Sequence, residues 1–328
     1  MLRIAMLSKW HVHAGDYAKQ ILAMEDVKIT AVWDELPERG RAWADELGVD
    51  FEEDLHTLLK RDDVDAVVVV APTNIHAEVM VAAANAGKHI FTEKIMALTV
   101  EDCKRIANAV QKAGVKFCIS FPHRTAPSNL FAKKAVEERL LGDITLLRVR
   151  NAHNGAVAKW LPDHFYDPIA CGGGAMIDLG AHPMYLSRWL LGKPKSITST
   201  FNSYTNKPVE DNAVSVIEFE NKAIAIVETG FITPSSPSSL ELYGTEGSLF
   251  VGGPDDTVKI ASTKYDPDST GWIVPSELPE ALPQAMKQWV DGILNGGQIH
   301  FGLEEGIQLT ELMEAAYKSN NEGRKVDF

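Results

Sequence analysis

An unbroken apolar run from Ala66 to Val70 limits what this chain can fold into more than any other feature. It has no polar residue at alternate positions, which is typical of a strand covered on both faces. Similar short runs accompany it in the first third of the chain, and the predicted strands are 4–7, 29–33, 66–70, 89–92 and 116–121. Helical patterns at 14–24, 37–47, 75–86 and 99–113 alternate with them. This alternation predicts an α/β fold with a doubly wound parallel sheet.

The pattern changes beyond residue 122. A helical stretch at 128–140 precedes short runs with partial alternation, which predict strands at 144–149, 214–219, 223–229, 240–243 and 257–260. Helical patterns return at 281–294 and 303–319. Consecutive short strands joined by turns predict an α+β domain with a large open, mostly antiparallel sheet. We therefore predict two domains, 1–122 and 123–328.

Charge and composition exclude several classes of protein. The formal net charge of −13 is spread along the chain, which disfavours binding to nucleic acid or to an anionic membrane. The three cysteines form no CxxC pair and are typical of reduced residues in a packed interior. No apolar run reaches the roughly 18 residues of a membrane span, and the chain opens on a strand-like run. We expect a cytoplasmic protein.

The loop after the first strand bears on dinucleotide binding. In a doubly wound sheet, ligands bind outside the carboxyl ends of the strands, where the strand order reverses. Here the strand is followed by Ser8-Lys9-Trp10-His11-Val12-His13, and the G-x-G-x-x-G fingerprint is absent. Taken alone, this counts against a dinucleotide site. Backbone amides at a helix start still bind phosphate where the loop has room.

Two later strand ends carry polar residues. Asp34 ends the second strand, where a carboxylate accepts hydrogen bonds from the adenosine ribose and repels a 2′-phosphate, which favours NAD over NADP. A turn or cap residue is an equally good interpretation of Asp34. The third strand ends in Ala71-Pro72-Thr73-Asn74-Ile75-His76, where Thr73 or Asn74 would cap the next helix. Residues 71–76 are therefore equally compatible with a simple capped turn and with a turn that contacts the nicotinamide.

Two motifs in the middle of the chain carry a family resemblance. The fourth strand ends in Thr92-Glu93-Lys94, and farther on comes Gly172-Gly173-Gly174-Ala175-Met176-Ile177-Asp178-Leu179-Gly180-Ala181-His182. Together with Asp34 and residues 71–76, these motifs resemble the Gfo/Idh/MocA oxidoreductase family, which includes inositol dehydrogenases, glucose–fructose oxidoreductase and many sugar dehydrogenases. The likeness covers nearly the whole chain.

The resemblance implies a Rossmann domain at 1–122 that binds the dinucleotide, and a substrate-binding and oligomerisation domain at 123–328. Family members often pair through the large sheet, so a homodimer or homotetramer is expected. Lys94 matches the lysine of the family's Glu-Lys-Pro motif, and Asp178 and His182 match the second motif. The resemblance therefore implies that these three residues are catalytic.

Three departures from the family pattern bear on the site. The glycine loop is replaced, which affects how the pyrophosphate is held. Ile95 stands where the family usually has proline, in the turn that presents Lys94. Tyr185 stands where many members carry a further acidic residue, three positions after the histidine.

The implied catalytic set suits the oxidation of an alcohol. His182 would remove the hydroxyl proton, because an imidazole titrates near neutral pH. Lys94 would stabilise the developing alkoxide, while Asp178 would orient the imidazole or bind a substrate hydroxyl. Run backwards, the same groups reduce a ketone. Taken singly, each residue is more often a solvated or packed side chain, so the inference depends on their joint occurrence.

Further contacts are predicted around this set. Those with the cofactor are Ser8, His11, Asp34, Ala71, Pro72, Asn74, His76 and Glu93. Those with a sugar or polyol substrate are Lys94, Arg124, His153, Trp160, Tyr166 and His182, with His164 in the same aromatic segment. A packed loop describes these histidines and aromatic residues equally well, and Arg124 also fits a cofactor or structural role.

No metal site is predicted. His11 and His13 form an H-x-H pair, but no acidic or cysteine ligand stands at zinc-site spacing.

Two other functions stay open. A tightly bound NAD that oxidises its substrate transiently would give epimerisation or glycosidic cleavage. A non-enzymatic sensor that retains the fold is favoured by the missing glycines and opposed by the joint presence of Lys94, Asp178 and His182.

Overall fold

A computed structural model describes residues 1–268 and 270–328 of the chain. Six parallel strands form its first sheet. Their order is β3-β2-β1-β4-β5-β6, so the strand order reverses between β1 and β4. The strands are β1 (Leu2–Leu7), β2 (Val27–Trp33), β3 (Asp50–Phe51), β4 (Ala66–Val69), β5 (His89–Thr92) and β6 (Phe117–Ile119). The predicted doubly wound parallel sheet is confirmed, and β4 is wholly buried, as its sequence requires.

Helices alternate with these strands. They are α1 (Ala14–Leu22), α2 (Pro37–Leu47), α3 (Leu55–Leu59), α4 (His76–Asn85) and α5 (Val100–Ala113). The Thr99 hydroxyl accepts a hydrogen bond from the Asp102 N–H at 3.1 Å, and Gly114 ends α5 with a φ of +67°. A 3-10 turn at Thr73–Ile75 precedes α4 in place of the predicted side-chain cap. The short β3 and α3 were not predicted, because so few residues show no period.

A later segment returns to this sheet. Trp289 of α9 (Ala285–Leu294) packs against Phe91 of β5, with ring centroids 5.7 Å apart. Two compact units result, Met1–Phe121 with Pro283–Thr310 and Pro122–Leu282 with Glu311–Phe328. The sequence analysis placed all residues after 122 in one domain. Residues 283–310 belong instead to the first unit, because α9 buries its apolar face against β5 and β6.

Eight strands form the sheet of the second unit, in the order β13-β12-β11-β7-β10-β9-β8-β14. They are β7 (Ile144–Ala152), β8 (Pro194–Asn202), β9 (Asn212–Phe219), β10 (Ile224–Gly230), β11 (Ser239–Gly244), β12 (Gly247–Gly252), β13 (Thr257–Ser262) and β14 (Val326–Asp327). β7 and β10 pair in parallel, and the remaining neighbours pair antiparallel. The predicted mostly antiparallel sheet is confirmed.

Helices cover one face of this sheet. Residues alternate along β9, where Ala213 and Ser215 are buried while Val214 and Val216 are exposed. The helices of this unit are α6 (Pro127–Glu137), α7 (Ala175–Asp178), α8 (Ala181–Leu191) and the end of α10 (Leu303–Glu322). α8 packs on β7 and β10. β8, β12, α7 and α8 were not predicted.

Within residues 1–268 and 270–328, no helix is both long enough and apolar enough to span a bilayer.

Candidate active site

The loop after β1 turns without glycine. Ser8 adopts a φ of +78°, in the left-handed region that favours glycine, and its Oγ accepts a hydrogen bond from the Trp10 N–H at 3.0 Å. The His11 N–H donates to the Val70 carbonyl at 3.1 Å, which ties the loop to the end of β4. The loop therefore lies where the strand order reverses, the usual ligand position in such a sheet.

Asp34 is buried at the end of β2, and its carboxylate is fully engaged. It accepts hydrogen bonds from the Lys9 and Leu36 N–H groups, both at 2.8 Å. The Arg39 guanidinium pairs with both oxygens, at 2.9 Å from Nε and 2.7 Å from Nη2. These contacts give Asp34 a structural role in the turn, and its contact with the adenosine ribose stays a prediction. Arg39, which the sequence analysis missed, neutralises the charge that was expected to repel a 2′-phosphate.

His76 braces two loops and does not offer a nitrogen to a ligand. It is 2% exposed, with Nδ1 at 3.0 Å from the Ile95 carbonyl and Nε2 at 3.0 Å from the Ala71 carbonyl. Burial lowers the pKa of His76, although the carbonyls oppose this shift. Its predicted contact with the cofactor is therefore corrected to a structural role. Ala71 and Pro72 are buried and Asn74 is exposed, and their cofactor contacts stay predictions.

Glu93 anchors the backbone that presents Lys94. Both residues are buried, and Glu93 Oε2 accepts a hydrogen bond from the Lys94 N–H at 2.6 Å. Its other oxygen accepts from the Tyr17 hydroxyl at 2.5 Å and lies 2.6 Å from His13 Nδ1. Burial raises the pKa of Glu93, but the charges of His11 and His13 and the hydrogen bond from His13 bring it well below its ordinary value. This direction of the pKa shift favours the ionised form of Glu93.

A distant carboxylate holds the glycine triplet of the second unit. Glu210 Oε1 accepts hydrogen bonds from the Gly174 and Met176 N–H groups, both at 2.9 Å, and from the Tyr317 hydroxyl at 2.5 Å. Burial raises the pKa of Glu210, and these hydrogen bonds oppose the shift. A Cβ on Gly173 would overlap the Tyr317 ring, so glycine is required there. The sequence around Glu210 contains no motif that indicates this role.

Replacing Glu210 with alanine is expected to lower the free energy of unfolding by about 2–4 kcal/mol, because three donors lose their acceptor. Glu210→Gln keeps an acceptor oxygen and should lose only about 1 kcal/mol. Denaturant titration measures both, with the exposed Glu220→Ala as a control that changes stability by less than about 1 kcal/mol. Wild-type stability of Glu210→Ala would contradict the anchoring role.

Asp178 and His182 lie on either side of a helix break. α7 ends at Asp178, and His182 is buried in the first turn of α8. The Tyr185 hydroxyl lies 2.9 Å from His182 Nδ1 and accepts a hydrogen bond from the His123 N–H at 3.1 Å. The His123 ring stacks on His182, with centroids 4.3 Å apart and planes 11° apart. Tyr185 thus fixes the orientation of His182, and His123, which the sequence analysis missed, covers one face.

His153 and Trp160 lie side by side, and their contact with a substrate stays a prediction. His153 stacks on Phe231 with ring centroids 5.0 Å apart, and its Nδ1 accepts a hydrogen bond from the Gly155 N–H at 3.0 Å. This leaves Nε2 as the donor of a neutral ring. Burial lowers the pKa of His153, while the negative charge of Asp178 opposes the shift. Trp160 is 55% exposed, with its ring 4.5 Å from that of His153.

Tyr166 and Arg124 are packed side chains. Tyr166 is buried in an apolar cluster that includes Phe231, which argues against its predicted contact with substrate. The Arg124 guanidinium lies over the Trp189 ring, 5.0 Å from its centroid, which fits a structural role. His164 is partly buried in a 3-10 turn.

Side chains of the kinds that bind metals converge at one place in the described part of the chain. These are His11, His13 and Glu93, whose ligand atoms lie within 4.8 Å of one another. The sequence analysis found no acidic partner for the histidines because Glu93 lies 80 positions from His13.

Comparison with known proteins identifies the family. A model described as an oxidoreductase family with an NAD-binding Rossmann fold matches residues 11–121, and one for the GFO/IDH/MocA C-terminal domain matches residues 130–250. The chain belongs to the Gfo/Idh/MocA oxidoreductase family. The resemblance drawn from Lys94, Asp178 and His182 is thereby confirmed, and so is the prediction of an NAD-dependent oxidoreductase.

Three named proteins illustrate what this chain is similar to. The scyllo-inositol 2-dehydrogenase (NAD(+)) of Bacillus subtilis (strain 168) is 31% identical over 245 residues, which cover 72% of this chain and 70% of that protein. The myo-inositol 2-dehydrogenase of Thermotoga maritima is 23% identical over 320 residues, 94% of each chain. GenD2 from gentamicin A biosynthesis, solved in complex with NAD, superposes with a TM-score of 0.84 at 25% identity, covering 100% of this chain and 96% of that one.

Proposed function

We propose that this Gfo/Idh/MocA protein transfers a hydride between NAD and a hydroxyl or keto carbon of a sugar, inositol or related polyol. The observation that carries the proposal is the buried His182 imidazole, oriented by Tyr185 and covered by His123 at the start of α8. An imidazole that is held at one nitrogen by a hydroxyl is suited to proton transfer at the other. The inositol dehydrogenases among the relatives support the substrate class.

Each catalytic residue has a distinct task in this proposal. His182 takes the hydroxyl proton, and Asp178 stabilises the charged imidazole or binds a neighbouring hydroxyl. Lys94 donates a hydrogen bond to the reacting oxygen and stabilises its developing negative charge. NAD, when bound, accepts the hydride from the same carbon. His153 and Trp160 contribute a hydrogen-bond donor and an aromatic face, which suit the polar and C–H surfaces of a sugar.

The preference for NAD follows from the pair between Asp34 and Arg39. Asp34 engages Nε and Nη2 of Arg39, and these donors are therefore not offered to a 2′-phosphate. Asp34→Ser is expected to release Arg39 and raise the NADP-to-NAD ratio of kcat/KM by about 10- to 100-fold. Steady-state kinetics with both cofactors measures the ratio. The double variant Asp34→Ser/Arg39→Ala should lose the gain; if it keeps the gain, Arg39 is not the discriminating group.

The proposal also covers the cellular compartment and the oligomeric state of the protein. We place the protein in the cytoplasm as a homodimer or homotetramer that pairs through the open sheet of the second unit. Exposed apolar residues on this sheet, Val214, Val216 and Ile224, support the pairing. Light scattering on the purified chain tests it, and a monomer at micromolar concentration would contradict it.

Reduction of NAD by a panel of polyols and aldoses is the experiment that tests the function. We expect at least one inositol or sugar to give NADH, followed by its absorbance. Turnover without added NAD, by protein that purifies with the cofactor bound, would point instead to transient oxidation. Tight NAD binding with every substrate inert would point to a sensor.

A further inference from the structure

His11, His13 and Glu93 form what we term the imidazole–carboxylate cluster, at the loop that replaces the glycine fingerprint. The Glu93 side chain is buried, whereas the His13 side chain is 42% exposed. His11 Nδ1 lies 4.0 Å from Glu93 Oε1. The catalytic steps described above use none of the cluster's ring nitrogens.

The position of the protons can be read from the hydrogen bonds. Both carboxylate oxygens of Glu93 already accept hydrogen bonds, Oε1 from the Tyr17 hydroxyl and Oε2 from the Lys94 N–H. His13 Nδ1 lies 2.6 Å from Glu93 Oε1 and must therefore carry the hydrogen of that bond. His11 Nδ1 accepts from the His13 N–H at 3.3 Å. The buried carboxylate thus holds the His13 ring in place through Nδ1.

A divalent metal fits this arrangement poorly. Ligand atoms at about 2.1 Å from one ion in tetrahedral or octahedral geometry lie about 3 Å or more from each other. The separation of 2.6 Å between His13 Nδ1 and Glu93 Oε1 is that of a charge-assisted hydrogen bond. A nitrogen that carries a hydrogen cannot bind a metal. A metal ion would therefore have to displace this proton and move the two atoms apart.

We propose that His13, supported by Glu93, binds the pyrophosphate of NAD through Nε2 and takes over the task of the missing glycine-loop amides. The inference rests on the proposed use of NAD by this unit. In a doubly wound sheet the dinucleotide pyrophosphate lies against the loop after the first strand, at the reversal of strand order. Here that loop has a serine in the left-handed conformation and an imidazole paired with an anion. A diphosphate is the ligand class whose charge and acceptor oxygens match this donor.

Calorimetric titration of the full chain with NAD, ADP-ribose and adenosine tests the proposal. His13→Ala is expected to weaken the binding of NAD and ADP-ribose about 10- to 100-fold, the loss of one charge-assisted hydrogen bond. The binding of adenosine, which has no phosphate, should change less than about twofold. His13→Gln keeps a hydrogen-bond donor without the charge. Its affinity for NAD and ADP-ribose should lie between those of wild type and His13→Ala. The exposed His56→Ala in α3 serves as the control.

Several outcomes would overturn the proposal. If folded His13→Ala and His13→Gln bind NAD and ADP-ribose within about twofold of wild type, His13 does not contact the pyrophosphate, and the proposed function still stands. If adenosine binding falls as much as NAD binding, the residue acts on the fold of the loop alone. If wild-type protein binds no NAD at all, the proposed function fails together with this inference.

A metal titration separates the remaining explanation. We expect NAD affinity to be unchanged after treatment with a chelator, and added Zn²⁺ to show no stoichiometric binding that Glu93→Gln abolishes. Stoichiometric zinc held by His11, His13 and Glu93, lost in that variant, would make the cluster a metal site and contradict the role given to His13.

Discussion

Changing His182 to alanine is expected to lower kcat by about 10²- to 10⁴-fold, the usual contribution of a positioned general base. His182→Asn, which fills more of the same space, should lose a similar factor. NAD affinity should stay within about twofold in both variants, because the Rossmann unit that binds the cofactor is folded from other residues. Steady-state kinetics gives kcat, and calorimetry gives the affinity. The exposed His56→Ala controls for the loss of a histidine.

A companion variant separates chemistry from packing at this residue. Tyr185→Phe removes the hydroxyl that lies 2.9 Å from His182 Nδ1 but keeps the ring, which is 3% exposed. We expect kcat to fall about tenfold while NAD affinity is unchanged, because the imidazole loses the hydrogen bond that orients it. A variant with the wild-type kcat would show that Tyr185 only fills space. Full activity of His182→Asn would remove the proposed base.

Lys94→Met should lower kcat/KM by about 10²- to 10³-fold, the usual effect of removing a donor to a developing oxyanion. Methionine retains most of the length of the side chain without its charge, so Lys94→Met is expected to fold. Thermal unfolding checks the fold, and steady-state kinetics on the substrate found in the panel gives the rate. Lys104→Met, on the exposed side of α5, is the matched control and should behave as wild type. Equal activity of the two variants would exclude Lys94 from the reaction.

The fold was largely predictable because its strongest signals are local. The unbroken apolar run that forms β4 and the capped ends of α5 are each contained in a short stretch of sequence. α8, which contains His182, was missed although it is eleven residues long. Gly180 and Pro183 interrupt its pattern, yet proline is tolerated in the first turn of a helix because its missing N–H has no intrahelical partner there.

The site was predictable only where a motif marks it. Lys94, Asp178 and His182 were predicted from family motifs, whereas other contacts around them join residues far apart in sequence. Glu210 lies 36 positions from Gly174, and Glu93 lies 80 from His13. Such pairings depend on the tertiary fold and leave no periodic pattern. The burial of His76 and Tyr166 was unpredictable for the same reason. The local sequence around a polar aromatic side chain is the same whether that side chain contacts a ligand or the protein interior.

Hydride transfer itself gives the most direct test of the account. The best polyol from the panel, deuterated at its carbinol carbons, is incubated with the enzyme and NAD, and the reduced cofactor is analysed by mass spectrometry. We predict one deuterium in each molecule of NADH formed, a slower rate than with the protiated substrate, and loss of both signals in His182→Asn. Product that forms without deuterium in the cofactor would contradict the proposed reaction.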